Sequence, residues 1–176
     1  MRRQALITAI ILLVLTACDY KAPLVGVASL PIDQALLGTW ESLEERDGQE
    51  PSLLRVVIRQ KSANQYEIAV GDGGESTDYA IGWLAELEGV RFIQTKYIHD
   101  KNGPVDANHV TIGGMKFTSL FSVFSYALNN DELVLQQFNK DLVNTNLTDT
   151  AALQAAFVAN RDNASLFHEP GQFKKL

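Results

Sequence analysis

The sequence predicts a mainly β domain: a small antiparallel meander barrel or half-barrel of about seven to eight strands with a C-terminal helix. Three observations predict it. Between residues 36 and 138 the chain is a succession of short runs in which apolar or β-branched residues alternate with polar ones, the period of a half-buried strand. Clusters of Gly, Asn, Asp and Glu join most of these runs, which suits hairpins rather than crossover connections. After residue 148 the period changes, and apolar residues recur at three- and four-residue spacing, as on a helix.

The strands are preceded by an export address. Met1-Arg2-Arg3-Gln4 is a short positive region, and residues 5–14 are apolar and uncharged. A membrane-spanning helix needs about 20 apolar residues, so this run has the length of a signal-peptide core instead. Leu15-Thr16-Ala17-Cys18 follows, and Cys18 is the sole cysteine of the chain. These first 18 residues resemble the signal and lipobox of bacterial lipoproteins. The resemblance implies that the Cys18 thiol takes a diacylglyceryl group and that a peptidase cuts between Ala17 and Cys18. In many species the new amine is acylated too. One acyl chain gives only marginal anchoring at ~0.8 kcal/mol per buried methylene, so two or three chains make the attachment stable. The alternative is an ordinary secretory signal with a stray cysteine, which would leave a free thiol in an oxidising compartment. In enteric-type bacteria an aspartate directly after the lipidated cysteine acts as a sorting signal that retains the protein at the inner membrane. Asp19 occupies that position. The implied location is therefore a cell membrane, lipid-anchored and facing the periplasm.

The chain divides into residues 1–17 as lipoprotein signal peptide, 18–35 as lipidated cysteine and tether, and 36–176 as a single β domain with its helix. That domain is long enough to bury a core without disulfides or metal. With Arg2 and Arg3 removed, the balance of 15 basic and 21 acidic side chains falls to a formal −8. Such a charge argues against nucleic acid and against a broad electrostatic interface with anionic headgroups. The tether carries Pro23, Gly26, Ser29 and Pro31 among apolar residues, so part of it is expected to pack on the domain. Fully extended it reaches at most roughly 50–60 Å.

Leu36-Leu37-Gly38-Thr39-Trp40 opens the first strand. Gly38-Thr39-Trp40 resembles the Gly-x-Trp signature on the first strand of lipocalins and their small relatives, the calycins. There the tryptophan closes one end of the barrel. A β-meander followed by a helix is also the lipocalin order.

After the polar turn Glu45-Arg46-Asp47-Gly48, residues 53–60 place Leu54, Val56 and Ile58 on one face and Arg55 and Arg59 on the other. Tyr66, Ile68 and Val70 alternate with Glu67 and Ala69 in a third strand. Beyond the turn at residues 71–76, Tyr79, Ile81, Trp83, Ala85 and Leu87 share a face of the fourth. Glu88-Gly89 reads as a hairpin turn into residues 90–97. Residues 99–116 hold Asn102-Gly103-Pro104 and Gly113-Gly114 with no sustained period, and read as a long loop. Residues 117–128 are apolar or small on both faces, so one face is expected to meet the core and the other a helix. Asn129-Asn130-Asp131 turns the chain into a return strand at 133–138. Thr148 or Asp149 caps the helix, with Ala152, Leu153, Ala156 and Phe157 as its apolar stripe and its end near Asn160. The remaining residues carry too little pattern to assign.

No catalytic motif is present. No serine lies in Gly-x-Ser-x-Gly or Ser-x-x-Lys, and no glycine-rich loop leads from a strand into a helix. His99 and His109 lie near Asp100 and Asp106, yet a ten-residue gap in a loop fixes no metal geometry, and solvated loop histidines fit as well. Asp72, Glu75 and Asp78 flank three glycines but lack the spacing of a calcium loop. The reading is therefore non-enzymatic, with no cofactor and no metal. Two functions remain. The aromatic residues Trp40, Trp83, Phe121, Phe124 and Tyr126 are candidates to line a pocket for a small apolar or amphiphilic ligand, although filling a solid core is the simpler role for them. In the second case the protein would be a structural adaptor that contacts another envelope protein through the 99–116 loop. A cavity of at least ~300 Å³ lined by Trp83, Phe121 or Phe124 would favour the ligand, and a filled interior with an exposed apolar patch the adaptor.

Overall fold

The computed structural model describes residues 20–44, 52–71, 76–100, 103–104, 110–112, 115–117 and 121–176. In chain order the elements are a 3₁₀ turn (Gln34–Leu36), β1 (Gly38–Glu44), β2 (Ser52–Gln60), β3 (Tyr66–Gly71), β4 (Ser76–Leu87), β5 (Val90–Asp100), β6 (Gly103–Pro104), β7 (Val110–Ile112), β8 (Met115–Phe117), β9 (Phe121–Asn129), β10 (Glu132–Phe138), α1 (Thr150–Asn160) and β11 (Phe167–Lys175). Each neighbouring pair of main strands is antiparallel, and the ring β1-β2-β3-β4-β5-β9-β10-β11 closes on itself. The closing seam is the pairing of Trp40 with Lys175 and Glu41 with Lys174. The described residues thus form a closed eight-stranded antiparallel barrel with the short β6 added beside β5 and one α-helix outside.

Register sorts the side chains into two layers, because directly paired residues share a face. Trp40 pairs with Val56, Val56 with Val70, Ile58 with Ile68, Leu84 with Ile93, Ile93 with Phe124, and Leu133 with both Leu128 and Phe173. Apart from Phe124, which lines the cavity beside Ile93, these residues belong to one cluster, the barrel interior. The alternate residues of β4, β5 and β9, including Ile81, Trp83, Ala85, Phe92 and Val123, form a second cluster with Leu153 and Phe157 of the helix and with Tyr20 and Leu24. The two-faced apolarity of residues 117–128 has this cause: Phe121 and Val123 look outward toward the helix layer, Phe124, Tyr126 and Leu128 inward.

The helix begins where the sequence placed it. Asp149 is the N-cap, and its carboxylate accepts a hydrogen bond from the Ala151 amide at 2.8 Å. It does not end the chain: β11 follows it and supplies the eighth strand. The described parts of the 99–116 segment are strand rather than loop: residues 99–100 end β5, β6 pairs with them, and β7 pairs antiparallel with β8. The turn at Glu45-Arg46-Asp47-Gly48 lies outside the described residues. At Glu88-Gly89 both residues have positive φ, 51° and 82°, the conformation of a two-residue hairpin turn that matches strand twist.

Residues 20–32 do not behave as a free tether. Tyr20 is 1% exposed and Leu24 fully buried. Tyr20 bridges Phe121 through a pair of backbone hydrogen bonds at 3.0 and 3.1 Å, and its hydroxyl donates to the Val143 carbonyl at 2.9 Å. The segment then runs over the outer face of the barrel beside β5 and β4.

Candidate ligand cavity

The antiparallel meander gives the barrel two ends. At the first, β1 begins and β11 finishes. The 3₁₀ turn closes this end: Leu36 is fully buried, and its carbonyl accepts a hydrogen bond from Trp40 Nε1 at 2.9 Å. Lys175 covers the same indole, its Nζ 5.0 Å from the ring centroid, and donates to the Ala35 carbonyl at 3.2 Å. Gly38 is required here on two counts. Its φ is +137°, and a Cβ would come within 2.8 Å of the Lys175 side chain.

Two tyrosines complete the plug. The Asp33 amide donates to the Tyr66 hydroxyl oxygen at 2.6 Å, and the Tyr126 hydroxyl lies 3.5 Å from an Asp33 carboxylate oxygen. Burial pushes the Tyr66 hydroxyl up to about 12, with the Asp33 charge adding to the rise, while the hydrogen bond to the Asp33 backbone opposes it. Tyr126 is raised for the same leading reason, burial.

Toward the second end, where β5 finishes and β9 begins, the interior is not filled. A cavity of about 90 Å³ lies among Ile58, Ile68, Val70, Ile93, Phe124 and Leu135. Its polar lining residues are Asp78, Tyr79, Thr95, Tyr97 and Ser122, of which Tyr97 donates a hydrogen bond from its hydroxyl to Asp78 Oδ1. Asp78 and Ala80 share the inward face of β4 by ordinary alternation, and Tyr79 between them also contributes to the lining; opposite Tyr79 and Ala80 the register passes over Ile98 of β5.

Of the five aromatic candidates, Phe124 alone lines the cavity. Trp40 and Tyr126 face the interior but belong to the plugged end. Trp83 and Phe121 lie on the outer face, in the layer covered by the helix and residues 20–28. The cavity-lining residues Ile58, Ile68 and Val70 carry the alternation that identified β2 and β3. What the sequence could not reveal is which of two buried faces on β4 and β9 turns inward. Among described residues no group of three or more His, Cys, Asp or Glu could hold a metal ion. The His99 and Asp100 backbones belong to β5, and Asp78 lines the cavity. His109, Asp106, Asp72 and Glu75 lie outside the described residues, as do Cys18 and Asp19. No helix of the described residues is long and apolar enough to cross a membrane.

Comparison with models of protein families, with curated proteins and with solved structures finds no match.

The cavity sets a size limit on anything the barrel holds. At about 90 Å³ it is smaller than the ~300 Å³ expected of a general small-molecule site. It is also smaller than the roughly 150 Å³ engineered cavity that admits benzene. A slender apolar group fits this space, and a bulky ring system does not. The contrasting sign of an adaptor, a contiguous exposed apolar patch, is not seen among described residues, whose exposed large hydrophobics are the isolated Val27 and Leu176.

Proposed function

We propose that this chain is a non-enzymatic lipoprotein of the bacterial envelope, anchored through Cys18 and retained at the inner membrane by Asp19. Its calycin-like barrel accommodates a slender apolar or amphiphilic molecule. The observation that carries the reading is the cavity: an apolar pocket at one end of a barrel whose other end is plugged, with the hydrogen-bonded Asp78 carboxylate and Tyr97 phenol among its few polar groups. The apolar lining suits a narrow chain, and the Asp78–Tyr97 pair suits a polar group at its end. The lipobox-like N-terminus supports it from the other side, because the bilayer is a source of such molecules.

The test is native mass spectrometry of the Cys18→Ser domain prepared without detergent, followed by solvent extraction. The expected result is a retained apolar mass that is lost when Ser122→Phe or Ala80→Leu fills the cavity. Absence of such a mass from the unfilled barrel in repeated preparations contradicts ligand binding and leaves the adaptor role of the 99–116 loop.

A further inference from the structure

We propose that residues 20–32 form a fixed strap, and that with Cys18 acylated the strap seats the cavity end of the barrel directly against the lipid surface. The inference rests on the lipidation reading above and adds the geometry of attachment.

The strap is held along its length. At the cavity end, Tyr20 bridges Phe121, the first residue of β9. Further along, the Gln94 side chain takes the Val25 amide and donates to the Val25 carbonyl, both at 3.0 Å. The helix holds the adjoining turn: Thr150 Oγ1 donates to the Pro23 carbonyl at 2.8 Å and Gln154 Nε2 to the Leu24 carbonyl at 2.9 Å. At the plugged end the Leu30 amide donates to the Leu84 carbonyl and the Ile32 amide to the Ala63 carbonyl. The strap thus enters at the cavity end and leaves at the plugged end.

Chain length then fixes the attachment. Tyr20 is two residues from Cys18, and two residues span at most about 7 Å. The headgroup layer of one leaflet is itself roughly 5–8 Å thick. An acylated Cys18 therefore brings Tyr20, and with it Phe121 and the cavity end, to the headgroups. The long reach of an 18–35 tether is not available while the strap stays docked. Lys21, Lys96 and Lys140 are exposed on this part of the molecule, with Asp141 exposed beside them and Asp78 at the cavity margin. The same placement puts the apolar cavity next to the acyl chains from which an amphiphile would be drawn.

The test uses the full chain extracted from membranes and reconstituted in vesicles that carry a paramagnetic metal-chelating headgroup lipid. Because Cys18 is the sole cysteine and is acylated, an introduced cysteine takes a nitroxide uniquely. Lys140→Cys marks the cavity end, and Asp131→Cys the opposite end of β10; both positions are exposed. With strand tilt allowed for, the two differ in height by roughly 20 Å. The expected result is relaxation enhancement at least about fivefold stronger at 140 than at 131, a contrast set by that height. Insertion of a long Gly-Ser segment between Asp19 and Tyr20 should erase it. Equal enhancement at both positions on vesicle-bound protein overturns the strap while leaving lipidation intact. Failure of the protein with intact Cys18 to associate with vesicles overturns lipidation and the strap together.

Discussion

Gln94 and Val25 form a two-way clasp: the fully buried side-chain amide of Gln94 accepts from the Val25 amide and donates to the Val25 carbonyl, each at 3.0 Å. In effect one glutamine side chain stands in for a β-ladder rung between β5 and the strap. The arrangement explains a buried polar residue in the middle of an otherwise apolar outer layer that includes Phe92, Trp83 and Val123.

Removing the clasp should therefore loosen the strap more than the barrel. Gln94→Leu leaves the Val25 amide and carbonyl without partners, at a cost of about 2 kcal/mol or more. Urea unfolding should show that loss, and hydrogen exchange should show deprotection concentrated in residues 20–30 rather than in β2 and β3. Uniform deprotection across the barrel would show that the strap is integral to the fold instead of laid upon it.

The plug at Trp40 should be intolerant of a side chain at Gly38. Gly38→Ala must either abandon its positive φ or displace Lys175 from the indole face, so a loss of roughly 1–3 kcal/mol is expected. Lys175→Ala in the same background tests the cause. If the steric conflict dominates, the double variant should recover part of the loss beyond what Lys175→Ala itself costs, as read from a double-mutant cycle in urea.

Alkaline pH should weaken the same end. The Tyr66 hydroxyl is pushed up to about 12 by burial, above the ordinary value near 10 that it regains on unfolding. The folded state therefore favours the protonated phenol. This contribution is complete below about pH 10 and is lost as pH rises through about 12, the total loss across that window being on the order of 2 kcal/mol. Tyr126 adds to the trend in the same direction. Stability measured across this window should fall steeply in the wild type and less steeply in Tyr66→Phe; identical slopes would contradict the assignment.

The cavity itself makes a paired prediction. At roughly 24 cal/mol per Å³, about 90 Å³ of unfilled interior forgoes about 2 kcal/mol. Ala80→Leu points from β4 into this space, since Ala80 pairs with both Ile68 and Tyr97. It should raise the urea midpoint while abolishing uptake of an apolar probe. A variant that is destabilised and still binds the probe would mean that ligand and cavity are unrelated.

The barrel was legible because most of its strands carry a period of two, and the hairpins at Glu88-Gly89 and Asn129-Asn130-Asp131 announce their turns. β11 was not. It contains Pro170 and Gly171, passes a register irregularity opposite Gln136 and Gln137, and buries Phe173 as its one large core residue. Its strand character comes from pairing with β10 and β1, which a local pattern cannot express. The site was legible only in part for a related reason. On β4 and β9 both faces are apolar: on β4 the bulkier one, with Ile81 and Trp83, serves the helix layer and the inward one carries Ala80 and Gly82, while on β9 Phe121 and Val123 face the helix layer and Ser122 and Phe124 face the cavity. A Cβ at Gly82 would meet Ile68 Cδ1 at 2.7 Å, so any larger residue there would have to displace the end of the Ile68 side chain. Small residues facing inward are what leave the cavity, and sequence alone gives no reason to prefer them over the aromatics. That part of residues 20–32 packs on the domain was legible from their apolar content, but the path was not: it has no period and depends on single partners such as Gln94, Thr150 and Gln154.

The anchor decides whether the cavity lies beside a membrane at all, and one measurement tests it most directly: the intact mass of the full chain extracted from membranes. The account predicts a chain beginning at Cys18 and carrying a diacylglyceryl group, with a further acyl chain on its amine in species that add one. Cys18→Ser should abolish the added mass and release the protein or leave it unprocessed. A membrane-extracted chain whose Cys18 is unmodified would contradict the account.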